Sequence, residues 1–104
     1  MPRAFTRAVS PRLAECQLTH LHRVPIDAAR AAAQHAAYED ALRNAGFAIV
    51  RLPDLPDDPD AVFVEDTAIL LGEHAIITRP GAASRLGEAS STADGLAPYF
   101  TLHQ

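Results

Sequence analysis

The chain has 104 residues, of which 48% are hydrophobic and 21% charged, with a formal net charge of −4. That composition is ordinary for one small globular domain, or a piece of a larger one, and the acidic balance argues against a nucleic-acid surface. All nine basic residues are Arg, scattered without a basic run, and the single cysteine, Cys16, rules out an internal disulfide or a paired-thiol metal site. A lone thiol fits a reducing compartment. Residues 1–7 lack the apolar core of a signal peptide, and no apolar run approaches the ~18 residues of a membrane span. A cytoplasmic protein without a membrane partner is the expectation.

Residues 3–9 read as a first strand, stopped by Ser10-Pro11. Residues 12–24 have little periodicity, and a loop of that length is either a functional lid or a plain connector. Asp27 or Pro25 opens the clearest helix, continued over 28–44 and ended by Gly46 in a left-handed cap. Ala29, Ala32, Ala33, Ala36, Ala37, Tyr38, Ala41 and Leu42 form a stripe of mostly small side chains, suited to lying close on a sheet. A strand over 47–52 follows, then a rigid acidic loop over 53–60 with three prolines.

Residues 61–71 read as the strand the rest is organised around. In that reading Glu65 and Asp66 fall on opposite faces among apolar neighbours. An unpaired buried carboxylate is costly, so such acids either pair with internal arginines or serve a cationic ligand. Gly72-Glu73 makes a two-residue hairpin link to a strand over 74–78. Ser84 is the candidate N-cap of a helix through Leu96, weakened by Gly87 and Gly95 and by Arg85 in its first turn. Pro98 ends it, and 99–103 begin another strand. Helix, strand, strand occurs once completely and begins again, which points to a repeated mixed α/β unit. The last strand leaves an open sheet edge, through which two copies could pair.

Asp60, Glu65 and Asp66 suit a planar guanidinium with its fixed N–H donors, and Arg85 suits a carboxylate. Together they match an arginine-like amino acid. Nothing local activates Cys16. The histidines at 20, 22, 35, 74 and 103 lack the spacing of a helical metal pair, and there is no phosphate loop, so no metal or cofactor is expected.

The segments Phe63-Val64-Glu65-Asp66-Thr67 and Ile76-Ile77-Thr78-Arg79-Pro80-Gly81-Ala82-Ala83-Ser84-Arg85 resemble the dimethylarginine dimethylaminohydrolase family. Thr6-Arg7-Ala8-Val9-Ser10 and the helix carrying His35, Tyr38 and Leu42 are similar too. The resemblance implies an α/β fold: part of a five-bladed α/β propeller (pentein), about its first two ββαβ-type blades. Residues 1–104 would then be the N-terminal part of one amidinohydrolase-like domain. The family hydrolyses N-methylated arginines to citrulline and a methylamine. Carried over position by position, Asp60 and Asp66 would hold the guanidinium and Glu65 would shape the acidic floor. Phe63 would line the carbon chain, Arg85 would take the carboxylate, and the Leu18 backbone would take the amino group. The family's catalytic histidine and cysteine have no position in this chain, and Leu86 stands where an arginine is common. Alternatives remain: an arginine deiminase or amidinotransferase relative, or a non-catalytic guanidino-binding or self-associating module.

Overall fold

A computed structural model describes residues 2–15 and 26–104. Cys16, Leu18, His20, His22 and Pro25 lie outside the described residues. Two strand–helix–strand units carry the architecture. Strand β1 (Arg3–Thr6) pairs parallel with β2 (Ala48–Arg51), joined through helix α1 (Ala28–Asn44). Strand β3 (Ala68–Leu71) pairs antiparallel with β4 (His74–Ile77). Helix α2 (Leu86–Leu96) then crosses over to β5 (Thr101–His103), which lies parallel to β4. The result is a two-stranded and a three-stranded sheet, ordered β1-β2 and β3-β4-β5.

Local signals account for most boundaries. The Asp27 side chain accepts from Arg30 N and caps α1, satisfying a helix-end donor. At its other end Gly46 N–H bonds to Arg43 O and Phe47 N–H to Leu42 O, the paired closure that a residue at positive φ allows. Gly72, at φ +58°, turns the β3–β4 hairpin with Leu71 opposite His74. Gly95 has a different reason: a Cβ there would meet Leu52 Cδ2 at 2.5 Å, so the missing side chain lets α2 lie on the end of β2.

Leu52, Ala75 and Leu96 form the core, with Phe5, Val64, Ala68, Ile77, Phe100 and Leu102 packed around them. Phe5 meets Tyr99 and Phe100 with ring centroids 5.4 and 5.5 Å apart, joining the two units. Buried Arg7 joins them again through polar contacts. Its Nε donates to Pro53 O and its Nη2 to Thr92 Oγ1, which also shares a 2.9 Å bond with Thr67 Oγ1.

Three sequence expectations are corrected. The strand over 61–71 is a strand only from Ala68. Before it the chain makes successive turns: Phe63 N–H to Asp60 O, Val64 N–H to Val62 O, and Asp66 N–H to Phe63 O. Phe63, at φ −85° and ψ 60°, centres an inverse γ-turn. The Thr67 hydroxyl takes Val64 O, a local bond that competes with sheet pairing. Glu65 and Asp66 therefore sit on a 3-10 turn (Val64–Asp66), both exposed, and not on opposite faces of a strand.

The alanine stripe of α1 does not face the sheet. Ala29, Ala32, Ala33, Ala36, Ala37 and Ala41 are exposed, and the helix turns Glu39 inward at 1% exposure. Glu39 accepts from Thr6 Oγ1 at 2.6 Å and Arg51 Nη2 at 2.6 Å. Satisfying one buried carboxylate outweighs the small gain from burying methyl groups. Finally, Ser84 is not the cap of α2. A 3-10 turn (Ala83–Arg85) leads into the helix, and its N-cap position, Arg85, makes no side-chain cap bond.

Candidate functional site

The turn over 60–66 and the 3-10 entry to α2 meet around Arg85. Its guanidinium is buried, at 9% exposure for the residue, and is held on three sides. Nε donates to both carboxylate oxygens of Glu88 at 3.2 Å, and Nη2 to Glu88 Oε1 at 2.9 Å. Nη2 also reaches the backbone oxygens of Asp60 (3.2 Å) and Phe63 (3.1 Å). Nη1 bonds Asp66 Oδ2 at 2.6 Å. The tight turns explain the two backbone bonds, because they swing those carbonyls out of any strand ladder and toward the cation. Burial by itself would depress the basicity of Arg85. The hydrogen bonds it donates to Glu88 and Asp66 outweigh it, and the guanidinium is held more firmly charged than usual.

An arginine has five N–H donors in a fixed fork. Nε and both hydrogens of Nη2 are committed, and Nη1 gives one to Asp66. Among the described residues, one N–H on Nη1 remains. Arg85 borders an open cleft of about 710 Å³, lined also by Asp60, Phe63, Asp66, Pro80, Gly81 and Ala82. Asp66 stands at its rim with 55% of its side chain exposed, while Asp60 is buried. Two carboxylates, Asp66 and Glu88, bond the one guanidinium, and Asp66 and Asp60 both line the cleft. The exposed Asp66 carboxylate is the feature of this lining that suits a cationic group.

Four of the six expected contact residues thus converge: Asp60, Phe63, Asp66 and Arg85. Glu65, although next to Asp66, lines a separate hollow of about 330 Å³ between the two units, with Phe5, Tyr38, Val62 and Leu70 among its neighbours. Leu18 lies outside the described residues. Sequence reasoning missed Glu88, which is 1% exposed and has both oxygens on Arg85. Its spacing of three from Arg85, one helical turn, was the available signal. It also missed Arg7, whose Nη1 has no partner within the described residues. Burial lowers the basicity of Arg7, and the nearby charges of Glu88 and Asp58 counter that. Among the described residues no group of three or more His, Cys, Asp or Glu could hold a metal ion, and no helix is long and apolar enough to cross a membrane.

No family model matches the chain. Individual relatives do. It is 40% identical over 95 residues, or 91% of its length, to the N(G),N(G)-dimethylarginine dimethylaminohydrolase of Streptomyces coelicolor. It is 49% identical over 73 residues, or 68% of its length, to the enzyme of the same name from Pseudomonas aeruginosa. The chain spans only 37% and 28% of those relatives. A solved structure of the Pseudomonas enzyme, a mutant complexed with citrulline, matches over 95% of this chain and 39% of its own, with TM-score 0.86 and 36% identity. The N-terminal domain of ArgZ, a cyanobacterial arginine dihydrolase, shares the fold at TM-score 0.81 and 17% identity.

Proposed function

The chain belongs to the dimethylarginine dimethylaminohydrolase family of the amidinotransferase superfamily, and from that premise we propose that its acid-lined cleft receives an N-methylated arginine. The reaction it would serve is hydrolysis of the guanidinium to citrulline and a methylamine. The observation that carries this reading is the position of Asp66. Its carboxylate is bonded to Arg85 on one side and open to the cleft on the other. A ligand guanidinium can take the open oxygen without stripping Arg85 of Glu88. Asp60 adds a second acid deeper in the cleft, and Phe63 offers an apolar wall to the carbon chain. Arg85 is proposed to take the ligand carboxylate through Nη1 once Asp66 turns away from it toward the guanidinium, because groups 2.6 Å apart do not hold opposite ends of one arginine. Leu18 is proposed to take the amino group and Glu65 to act from the adjoining hollow.

The two strand–helix–strand units are proposed to be parts of the first two blades of a five-bladed propeller. Among the described residues the cleft is lined by Asp60, Phe63, Asp66, Pro80, Gly81, Ala82 and Arg85, none of them a thiol or hydroxyl, and such chemistry needs a nucleophile within reach. The isolated chain is therefore expected to bind and not to turn over.

Calorimetry with dimethylarginine tests binding. Asp66→Ala removes a charge-assisted hydrogen bond and should weaken affinity by tenfold or more, since such bonds contribute roughly 1.5–3 kcal/mol. Equal heats from wild type and variant would refute the assignment of Asp66. Citrulline released by the purified chain would refute the absence of turnover.

A further inference from the structure

The face of the β3-β4-β5 sheet that turns away from the core carries six residues in two rows. Leu71, His74 and Thr101 are register partners, as are Ile69, Ile76 and His103. All six are exposed. Within this otherwise apolar and neutral patch the two imidazoles are diagonal neighbours on parallel strands. His74 Nδ1 lies 2.9 Å from His103 Nε2, and the ring centroids are 5.1 Å apart. Among the described residues neither ring has another hydrogen-bond partner, and no acid or arginine side chain shares the two rows.

We propose that His74 and His103 form a two-imidazole chelate for a divalent transition-metal ion of the Ni(II) or Cu(II) class. The distance is the first argument. Two metal–nitrogen bonds of about 2.0–2.1 Å at a right angle span about 2.9 Å, the spacing of a square-planar or octahedral edge. A tetrahedral angle would need about 3.4 Å with the same bonds, so Zn(II) fits less well. The backbone is the second. Both residues belong to hydrogen-bonded strands whose register holds their Cα atoms diagonally opposite, so the nitrogens are brought together before any ion arrives. The third is proton balance. In the neutral pair one nitrogen donates to the other. If the donor ring shifts its proton to its outer nitrogen, both facing nitrogens present lone pairs and no proton need leave. A modest rotation of the rings turns those lone pairs to a common point on the solvent side, where water completes the coordination. This site is independent of the guanidino cleft and of the family's chemistry.

Ni(II) titration followed by calorimetry is the test, carried out in a His20→Ala/His22→Ala background so that the other closely spaced histidines do not contribute. One Ni(II) per chain is expected, bound more tightly than Zn(II). Adding His103→Ala should weaken it by about tenfold or more, as loss of a ligand does at least what loss of a supporting partner does. With water completing six-coordination the Ni(II) is paramagnetic, so paramagnetic shifts centred on the His74 and His103 rings should accompany binding. Both side chains are exposed, so the variants should keep the wild-type far-UV circular dichroism. Absence of Ni(II) binding in the background protein, or affinity unchanged by His103→Ala, would overturn the proposal.

Discussion

Two buried ion pairs, one under each helix, use the same chemistry in opposite orientation. Beneath α1 the acid is inside and the cation outside: Glu39 is 1% exposed, while more than half of the Arg51 side chain meets solvent. Beneath α2 the cation is inside with Glu88, and a second acid, Asp66, projects outward. The first arrangement is closed. Thr6 and Arg51 take both oxygens of Glu39, and what remains visible to solvent is an arginine already neutralised. The second is open. Arg85 is saturated from beneath, and Asp66 remains exposed at a cleft. A pair becomes a recognition site when the member left at the surface still has hydrogen-bonding capacity directed into a concavity.

That contrast can be broken most forcefully at Glu88. Glu88→Ala leaves Arg85 buried with only Asp66 and two carbonyls, and breaking a buried pair costs about 3 kcal/mol or more. Urea unfolding should show it, with dimethylarginine binding lost in the same variant. Little change in either would mean that Asp66 alone holds the cation.

Glu39 comes next, through pH. Hydrogen bonding from Arg51 is the largest effect on its acidity. Burial opposes it, Thr6 reinforces it, and the folded-state pKa lies below the ordinary value. A carboxyl more acidic when folded stabilises the fold fully above its unfolded pKa. That contribution is lost as pH falls from the usual glutamate range, about 4.3, through the lower folded value. Stability measured across this acid window should decline in the wild type and more shallowly in Glu39→Gln. At neutral pH that variant should be less stable by roughly 1–2 kcal/mol, the cost of a weakened buried acceptor. A parallel acid profile would remove Glu39 from the account.

The smallest expected effect on folding is at Asp66. Asp66 is more than half exposed, so solvent screens its side of the pair and the bond adds less than about 1 kcal/mol to folding. Asp66→Asn should therefore leave the urea midpoint nearly unchanged while weakening the ligand. If it destabilised the protein as much as Glu88→Ala, the open pair would be as structural as the closed one.

Features set by residues a few positions apart were readable from the letters. Asp27, Gly46 and Gly72 act within one turn of themselves, and the helix over 28–44 and the two-residue link at Gly72-Glu73 fall where expected. Features set by distant partners were not. An apolar run over 61–71 looks like a strand until Arg85, some twenty residues on, claims the Asp60 and Phe63 carbonyls. The inward face of α1 is chosen by Thr6 and Arg51, which no helical period reveals. At the site, the motif residues Asp60, Asp66 and Arg85 were visible as charges, but their direct contact was not. The expected separation of an acidic end from a basic end becomes, in the fold, a 2.6 Å bond between them.

The two peptide oxygens that grip Arg85 have a consequence for how such a protein can change. An amide carbonyl persists whatever side chain its residue bears, provided the turn is kept. Phe63 contributes its oxygen to the arginine and its ring to the wall of the cleft. Replacing that ring can widen or narrow the passage while the electrostatic anchor stays in place. Girth and charge are thus governed by separate atoms of one amino acid, and selection can adjust the fit for bulkier or slimmer guests without rebuilding what attracts them.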